Sequence, residues 1–196
     1  MTGEGRARPR RIGPTERRER RAAVDDAAIV VEAAAAFLGV RPRSIDETRR
    51  RLRHLGYRPD LVEVVIELLS KLGYLDDAEF ARVWVESRDR ARPRGAIALR
   101  RELALKGVDR AIVDAVLDER ESGSSGAWDA APPSDSQTPD EEAADRLLAR
   151  KSATLARETD PRKRHQKAYA LLARNGFSPD VIGAAIARMG AESPDE

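Results

Sequence analysis

Cysteine is absent from the sequence, which excludes disulfides, thiolate metal sites and cysteine nucleophiles, and fits a cytoplasmic protein. Histidine occurs only as His54 and His165, each among arginines and far apart in the chain. A histidine metal site or a Ser-His-Asp arrangement therefore has no partners to draw on. No apolar run approaches the roughly 20 residues that cross a bilayer. The longest, Ala27 to Val40, is interrupted by Glu32 and reads as a core helix. The basic N-terminus is not followed by an apolar signal core, so export is not expected. Neither common phosphate-binding glycine loop is present. The best carboxylate cluster, Asp76-Asp77-Glu79, has the composition of a magnesium site. It is also what a helix start requires for its free amides and positive dipole end, and that reading is preferred. No catalytic residue, metal ligand or cofactor is assigned, and the chain is not expected to be an enzyme.

Aromatic residues make up 4% of the chain and charged residues 36%. The apolar remainder is mainly Ala, Leu and Val, which favours helices with thin apolar stripes over sheets. One short pattern occurs three times. Leu52-Arg53-His54-Leu55-Gly56-Tyr57, Leu103-Ala104-Leu105-Lys106-Gly107-Val108 and Leu172-Ala173-Arg174-Asn175-Gly176-Phe177 each place a leucine four before a glycine and an apolar residue after it. Apolar residues recur five (Leu61, Ile112, Val181), six (Val62, Val113, Ile182) and ten (Ile66, Leu117, Ile186) positions beyond the glycine. A glycine just past a helix end takes the left-handed conformation that closes the last turn. The later apolar positions line one face of the next helix. The repeated unit is helix, glycine stop, helix, and agreement at this many offsets predicts an internal repeat.

The glycines stand 51 and then 69 residues apart, so the second gap holds an insertion. Residues 1–23 read as a disordered basic arm: positions 1–21 carry eight arginines against three glutamates. Residues 24–73 form the first three-helix repeat, with Asp25 or Asp26 near its start, a capping box at Ser44 and Glu47, and Pro59 in a first turn. Residues 74–119 form the second, opened by Asp76. There Phe80, Val83, Trp84 and Ser87 share a face at helical spacing, and Pro93 and Gly95 break the chain. Residues 120–139 are a Gly-, Ser- and Pro-rich acidic insertion read as disordered, with Trp128 as an incidental residue or an anchor. Residues 140–190 form the third repeat, with Asp140 opening its first helix and Asp160-Pro161 and Ser178-Pro179 opening the next two. Residues 191–196 are expected to fray.

Charge is segregated. Residues 119–142 carry seven acids against Arg120 alone, whereas 143–190 carry ten bases against four acids. Nine bases fall between Arg82 and Arg110 against four acids. Such segregation concerns partners rather than fold. The candidate partner-binding residues are Arg82, Arg88, Arg90, Arg94, Arg100, Arg101, Lys106, Arg162, Lys163, Arg164 and Lys167. The alternative for each is a solvated helix face, and charge alone does not separate a nucleic-acid target from an acidic protein.

The order Leu75-Asp76-Asp77, Phe80-Ala81, Arg88, Arg94-Gly95, Glu102-Leu103 and Lys106-Gly107-Val108, flanked by Ser44 to Tyr57 and by Asn175-Gly176-Phe177, resembles the RecX family of bacterial RecA regulators over residues 25–189. Asp76, Asp77, Phe80, Gly56, Gly95, Gly107 and Gly176 are its structural positions. The resemblance implies an all-α fold: a tandem array of three three-helix repeats forming an elongated, curved structure. It also implies a partner, the RecA–single-stranded DNA filament, whose ATPase, strand-exchange and co-protease activities the family restrains. Neither a membrane nor a small-molecule substrate is implied. The insertion and the long basic arm depart from the family pattern. The alternative function is direct binding of single-stranded nucleic acid through the basic face.

Overall fold

Ten helices account for all regular structure among the described residues of the computed structural model, 13–123 and 137–191. In chain order they are α1 (Pro14–Ala22), α2 (Ala27–Leu38), α3 (Ile45–Leu55), α4 (Pro59–Lys71), α5 (Asp77–Ala91), α6 (Ala96–Leu105), α7 (Arg110–Glu121), α8 (Pro139–Leu155), α9 (Pro161–Arg174) and α10 (Pro179–Ala191). The chain divides into two compact units, one running to Leu75 and the other beginning at Asp76. The first holds α1 and the repeat α2–α4. The second holds the repeats α5–α7 and α8–α10.

Each repeat has its own core. Val30, Leu52, Val62 and Val65 centre the first, Phe80, Leu99, Leu103 and Leu117 the second, and Leu148, Leu172, Phe177 and Ile182 the third. Local chemistry sets the helix starts. Asp26, Asp76, Asp109 and Asp160 each accept from a backbone N–H of the first turn, and Ser44 with Glu47 and Thr138 with Glu141 form capping boxes. The repeated glycines set the stops, with φ of 105° at Gly56, 76° at Gly107 and 80° at Gly176. In every case the residue after the glycine donates its N–H to the carbonyl of the repeat's leucine: Tyr57 to Leu52 at 3.4 Å, Val108 to Leu103 at 3.2 Å and Phe177 to Leu172 at 3.3 Å. The glycine N–H itself donates to the carbonyls of Arg53, Ala104 and Ala173 respectively. This is the Schellman arrangement. It turns the chain so that Leu52, Leu103 and Leu172 and the residue after each glycine are buried together.

Several expectations are corrected. Residues 14–22 of the basic arm are helical: Pro14 occupies the first turn, Glu16 lies at the positive end, and Arg20 and Arg21 lie at the negative end. Arg21 then ties α1 to repeat 1, donating to the Leu55 carbonyl at 3.3 Å and lying 5.9 Å from the Tyr57 ring centre. Residues 1–12, Trp128 with the rest of 124–136, and 192–196 lie outside the described residues. Both ends of the expected insertion belong to helices, because α7 runs to Glu121 and α8 starts at Pro139 with Thr138, not Asp140, as its cap. On α5 the buried face is Asp77, Phe80, Ala81 and Val85. Val83 and Ser87 are exposed, and Trp84 is half-buried at the margin.

Repeats 2 and 3 are joined by backbone and buried charge. The Gly95 N–H donates to the Asn175 carbonyl at 3.0 Å, and the Ile97 N–H donates to the Gly176 carbonyl at 3.2 Å. The amides that α6 leaves without a partner inside its own first turn are thereby satisfied by the turn after α9. The Ala96 N–H between them donates to the Asp140 carboxylate at 3.0 Å. The other oxygen of Asp140 accepts from Arg120 at 2.6 Å, and Arg120 grips Asp89 through two more bonds of 2.8 and 2.9 Å. The Arg120 and Asp140 side chains are 8% and 6% exposed. Burial opposes the charge on Arg120, but hydrogen bonds to Asp89 and Asp140 raise its pKa above the ordinary guanidinium value. Burial, reinforced by the Asp140 charge, pushes the neighbouring Glu121 carboxyl up.

This junction can be tested at two kinds of position. A Cβ on Gly176 would strike Ala98, whereas one on Gly123, also at positive φ, meets nothing within 4 Å. Gly123→Ala should lose about 1 kcal/mol from left-handed strain alone, and Gly176→Ala at least twice that, read by chemical denaturation. Arg120→Ala leaves the buried Asp140 and the half-buried Asp89 without their cation and should cost about 3–5 kcal/mol. Arg90→Ala, which breaks an exposed pair with Glu86, should cost under about 0.5 kcal/mol.

Candidate partner-binding surface

The basic residues of repeat 2 are arranged around carboxylates of the same repeat. Arg82 on α5 donates to Glu119 on α7 at 3.1 Å and pairs with Glu79. Arg100 on α6 donates to Asp114 on α7 at 2.9 Å. Glu102 on α6 is the centre of a larger group. One of its oxygens accepts from the Trp84 indole N–H at 2.9 Å and from Arg88 at 2.6 Å. The other lies 3.5 Å from Arg94, whose guanidinium also donates to the Asn175 side chain at 2.7 Å. The Arg88 guanidinium lies 4.2 Å, and the Lys106 ammonium 4.9 Å, from the Trp84 ring centre. These are cation–π distances. One carboxylate thus orients an indole and two arginines drawn from α5 and the α5–α6 connection.

Sequence spacing places these residues near one another, and the structure separates them into two kinds. Arg88, Arg94 and Lys106 converge on Trp84 and Glu102, and Arg82 and Arg100 hold α7. Arg90 is exposed and, among the described residues, its side chain pairs with Glu86, one helical turn away, at 3.3 Å. Arg101 is exposed, with no ion pair among the described residues. In repeat 3, Lys167 pairs with Glu158 at 2.6 Å and Arg164 donates to the Glu158 carbonyl at 3.0 Å. Arg162 and Lys163 are exposed at the start of α9. Of the structural positions, Asp76 caps α5, Asp77 and Phe80 are buried beneath it, and Gly95 meets Gly176.

Sequence reasoning gave Glu102 and Asn175 a place in the family pattern but no role, and it missed the Arg120–Asp140 pair. Two of these had a weak signal. Glu102 is the only acid between Arg94 and Lys106, and Arg120 is the only base in the acidic run 119–142. Among the described residues no group of three or more His, Asp or Glu is placed to hold a metal ion, and no helix is long and apolar enough to cross a membrane.

Comparison with known proteins points to one family. Residues 76–117 match the family model of the RecX second three-helix domain, and 139–186 match that of the RecX third three-helix domain. A protein of Deinococcus radiodurans named Regulatory protein RecX is 32% identical over 193 residues, covering 98% of this chain and 81% of the relative. A Mycobacterium avium protein of the same name is 30% identical over 148 residues, 74% of this chain and 75% of the relative. One from Prosthecochloris aestuarii is 40% identical over 89 residues, which span 45% of this chain and 59% of that protein. The crystal structure of RecX from Lactobacillus salivarius matches with a TM-score of 0.69 at 21% identity, over 85% of this chain and 98% of that one. At that identity the likeness speaks for the fold.

The Glu102 group makes its own prediction. Glu102→Ala leaves the Trp84 indole N–H and two arginines without their acceptor and should cost about 1–3 kcal/mol. In a Trp128→Phe background, the emission of Trp84 should move to longer wavelength as Arg88 releases the ring to water.

Proposed function

This chain belongs to the RecX family, and on that footing we propose that it binds the RecA–single-stranded DNA filament and modulates, mainly inhibits, RecA recombinase. Its ATPase and co-protease activities are the ones restrained, with consequences for DNA repair and the SOS response, and the protein acts in the cytoplasm without catalysis of its own. The observation that carries this reading is the pairing of a RecX relative matched along nearly the whole chain with a middle repeat whose basic residues are held in fixed positions. A helical nucleoprotein is acidic and extended, and it suits arginines distributed over several helices better than a small ligand does. Arginine's planar fork engages both carboxylate and phosphate.

Arg88 and Arg94 are poor targets for charge reversal, because a glutamate at either position would face Glu102 inside the fold. Arg90 and Arg101 are exposed and test the surface without that confusion. The decisive measurement is DNA-dependent ATP hydrolysis by the host RecA, titrated with this protein up to equimolar amounts. Inhibition well below equimolar is expected, and Arg90→Glu with Arg101→Glu should raise the half-inhibiting concentration about tenfold, some 1.4 kcal/mol of binding. Absence of inhibition by the native protein would reject the filament reading. Equal inhibition by the double variant would remove the α5–α6 surface from it.

A further inference from the structure

Helix α9, PRKRHQKAYALLAR, contains no acidic residue. It buries only Ala168 and Leu172, so its opposite side faces water over the whole length of the helix. Helical periodicity puts Arg162, Gln166, Tyr169 and Ala173 along one row of that side and Lys163, Lys167, Ala170 and Arg174 along the next. All eight are exposed. Arg162, Lys163 and Arg174 have no carboxylate partner among the described residues. The one side-chain hydrogen bond of Arg174 goes to the Ala170 carbonyl one turn back. Tyr169, 48% exposed, stands among these cations on a floor of small residues. Asp160 already occupies the first-turn amides of Arg162 and Lys163, so the positive charge on offer belongs to side chains and not to the helix end.

Repeat 2 differs in this respect. Its Arg82, Arg88, Arg94 and Arg100 are each held by a carboxylate of their own repeat, which lowers what they gain from a phosphate. Arg162, Lys163 and Arg174 have no such competitor. Besides the ring of Tyr169, this face offers only Gln166, Ala170 and Ala173 between its cations. A row of uncompensated cations with an exposed ring among them is what a single strand engages: phosphates on the cations and a base on the ring.

We propose that the outer face of α9 contacts the backbone of single-stranded nucleic acid, with Arg162, Lys163 and Arg174 taking phosphates and Tyr169 stacking on a base. The proposal rests on the filament reading only in identifying the strand as the one inside the filament. Binding to bare oligonucleotide tests it separately.

The probe is a labelled oligo(dT), read by fluorescence anisotropy across a salt series with the full chain. Combined Arg162→Ala, Lys163→Ala and Arg174→Ala should weaken binding at least tenfold. The slope of log affinity against log salt should shrink by about 2, at roughly 0.7 for each phosphate no longer neutralised. Lys71→Ala, at an exposed cation paired with Glu67 on α4, should leave both unchanged. Tyr169→Phe should bind like the native chain, and Tyr169→Ala about fivefold or more weakly. All these positions are exposed, and unchanged helicity by circular dichroism verifies that folding is preserved. The proposal is overturned if the triple variant binds as tightly as the native chain, if the native chain does not bind, or if poly-glutamate competes as well as the oligonucleotide. Oligonucleotide binding that depends on α9, with RecA left uninhibited, would reject the filament reading and keep this one.

Discussion

The carboxylate of Asp140 holds the second unit in register. One oxygen closes on Arg120 and, through it, on Asp89 of α5, and the other takes the Ala96 N–H at the start of α6. Three helices of repeat 2 are thereby tied to the first helix of repeat 3 by groups that have little contact with water. A buried pair of this kind gains little over well-packed apolar residues, because both charges were costly to desolvate. Its effect is on specificity: any other docking of the repeats would strand a charge. The contact of Gly95 with Gly176 follows from the same register, since the two backbones approach closely enough for hydrogen bonds only where neither carries a side chain.

What was legible in the sequence was what depends on neighbours within about two helical turns. The three glycine stops, the buried leucine four before each, and the caps at Ser44, Asp76 and Asp160 are local devices, and the structure has them where the pattern puts them. Boundaries at the insertion were less legible, because a run of acids describes a helix start and a solvated linker equally well. Thr138 outranks Asp140 as the cap since Asp140 is drawn to α6 and Arg120, partners set by tertiary packing. Helix α1 was hidden for a related reason. Its composition is that of a disordered arm, and its attachment is tertiary: Arg21 reaches the end of α3 and the Tyr57 ring, and Arg18 packs on Gly56.

The basic surface was legible as a sum and not as a set of contacts. Counting charges located the basic segments, but the pairing of Arg82 with Glu119, of Arg100 with Asp114, and of Arg88 and Arg94 with Glu102 joins residues on different helices or across a helix break. Pairing changes what a cation is for. In repeat 2 several arginines position helices and an indole, and Arg90, Arg92, Arg101 and Arg110 are among its outward charges. In repeat 3 the helix without acids keeps its charge for the outside.

The meeting of Arg120 and Asp140 at 2.6 Å has an evolutionary side. The pair fixes the end of α7 beside the start of α8, so the distance an intervening segment must close is set by the junction itself. Loop-closure entropy grows slowly with length, by about 0.6 kcal/mol for each doubling. Lineages can therefore lengthen, shorten or replace that segment without renegotiating the junction. The same point is where a reporter domain could be spliced in, or a new chain start created by circular permutation, with the two halves still clasped by the buried ion pair.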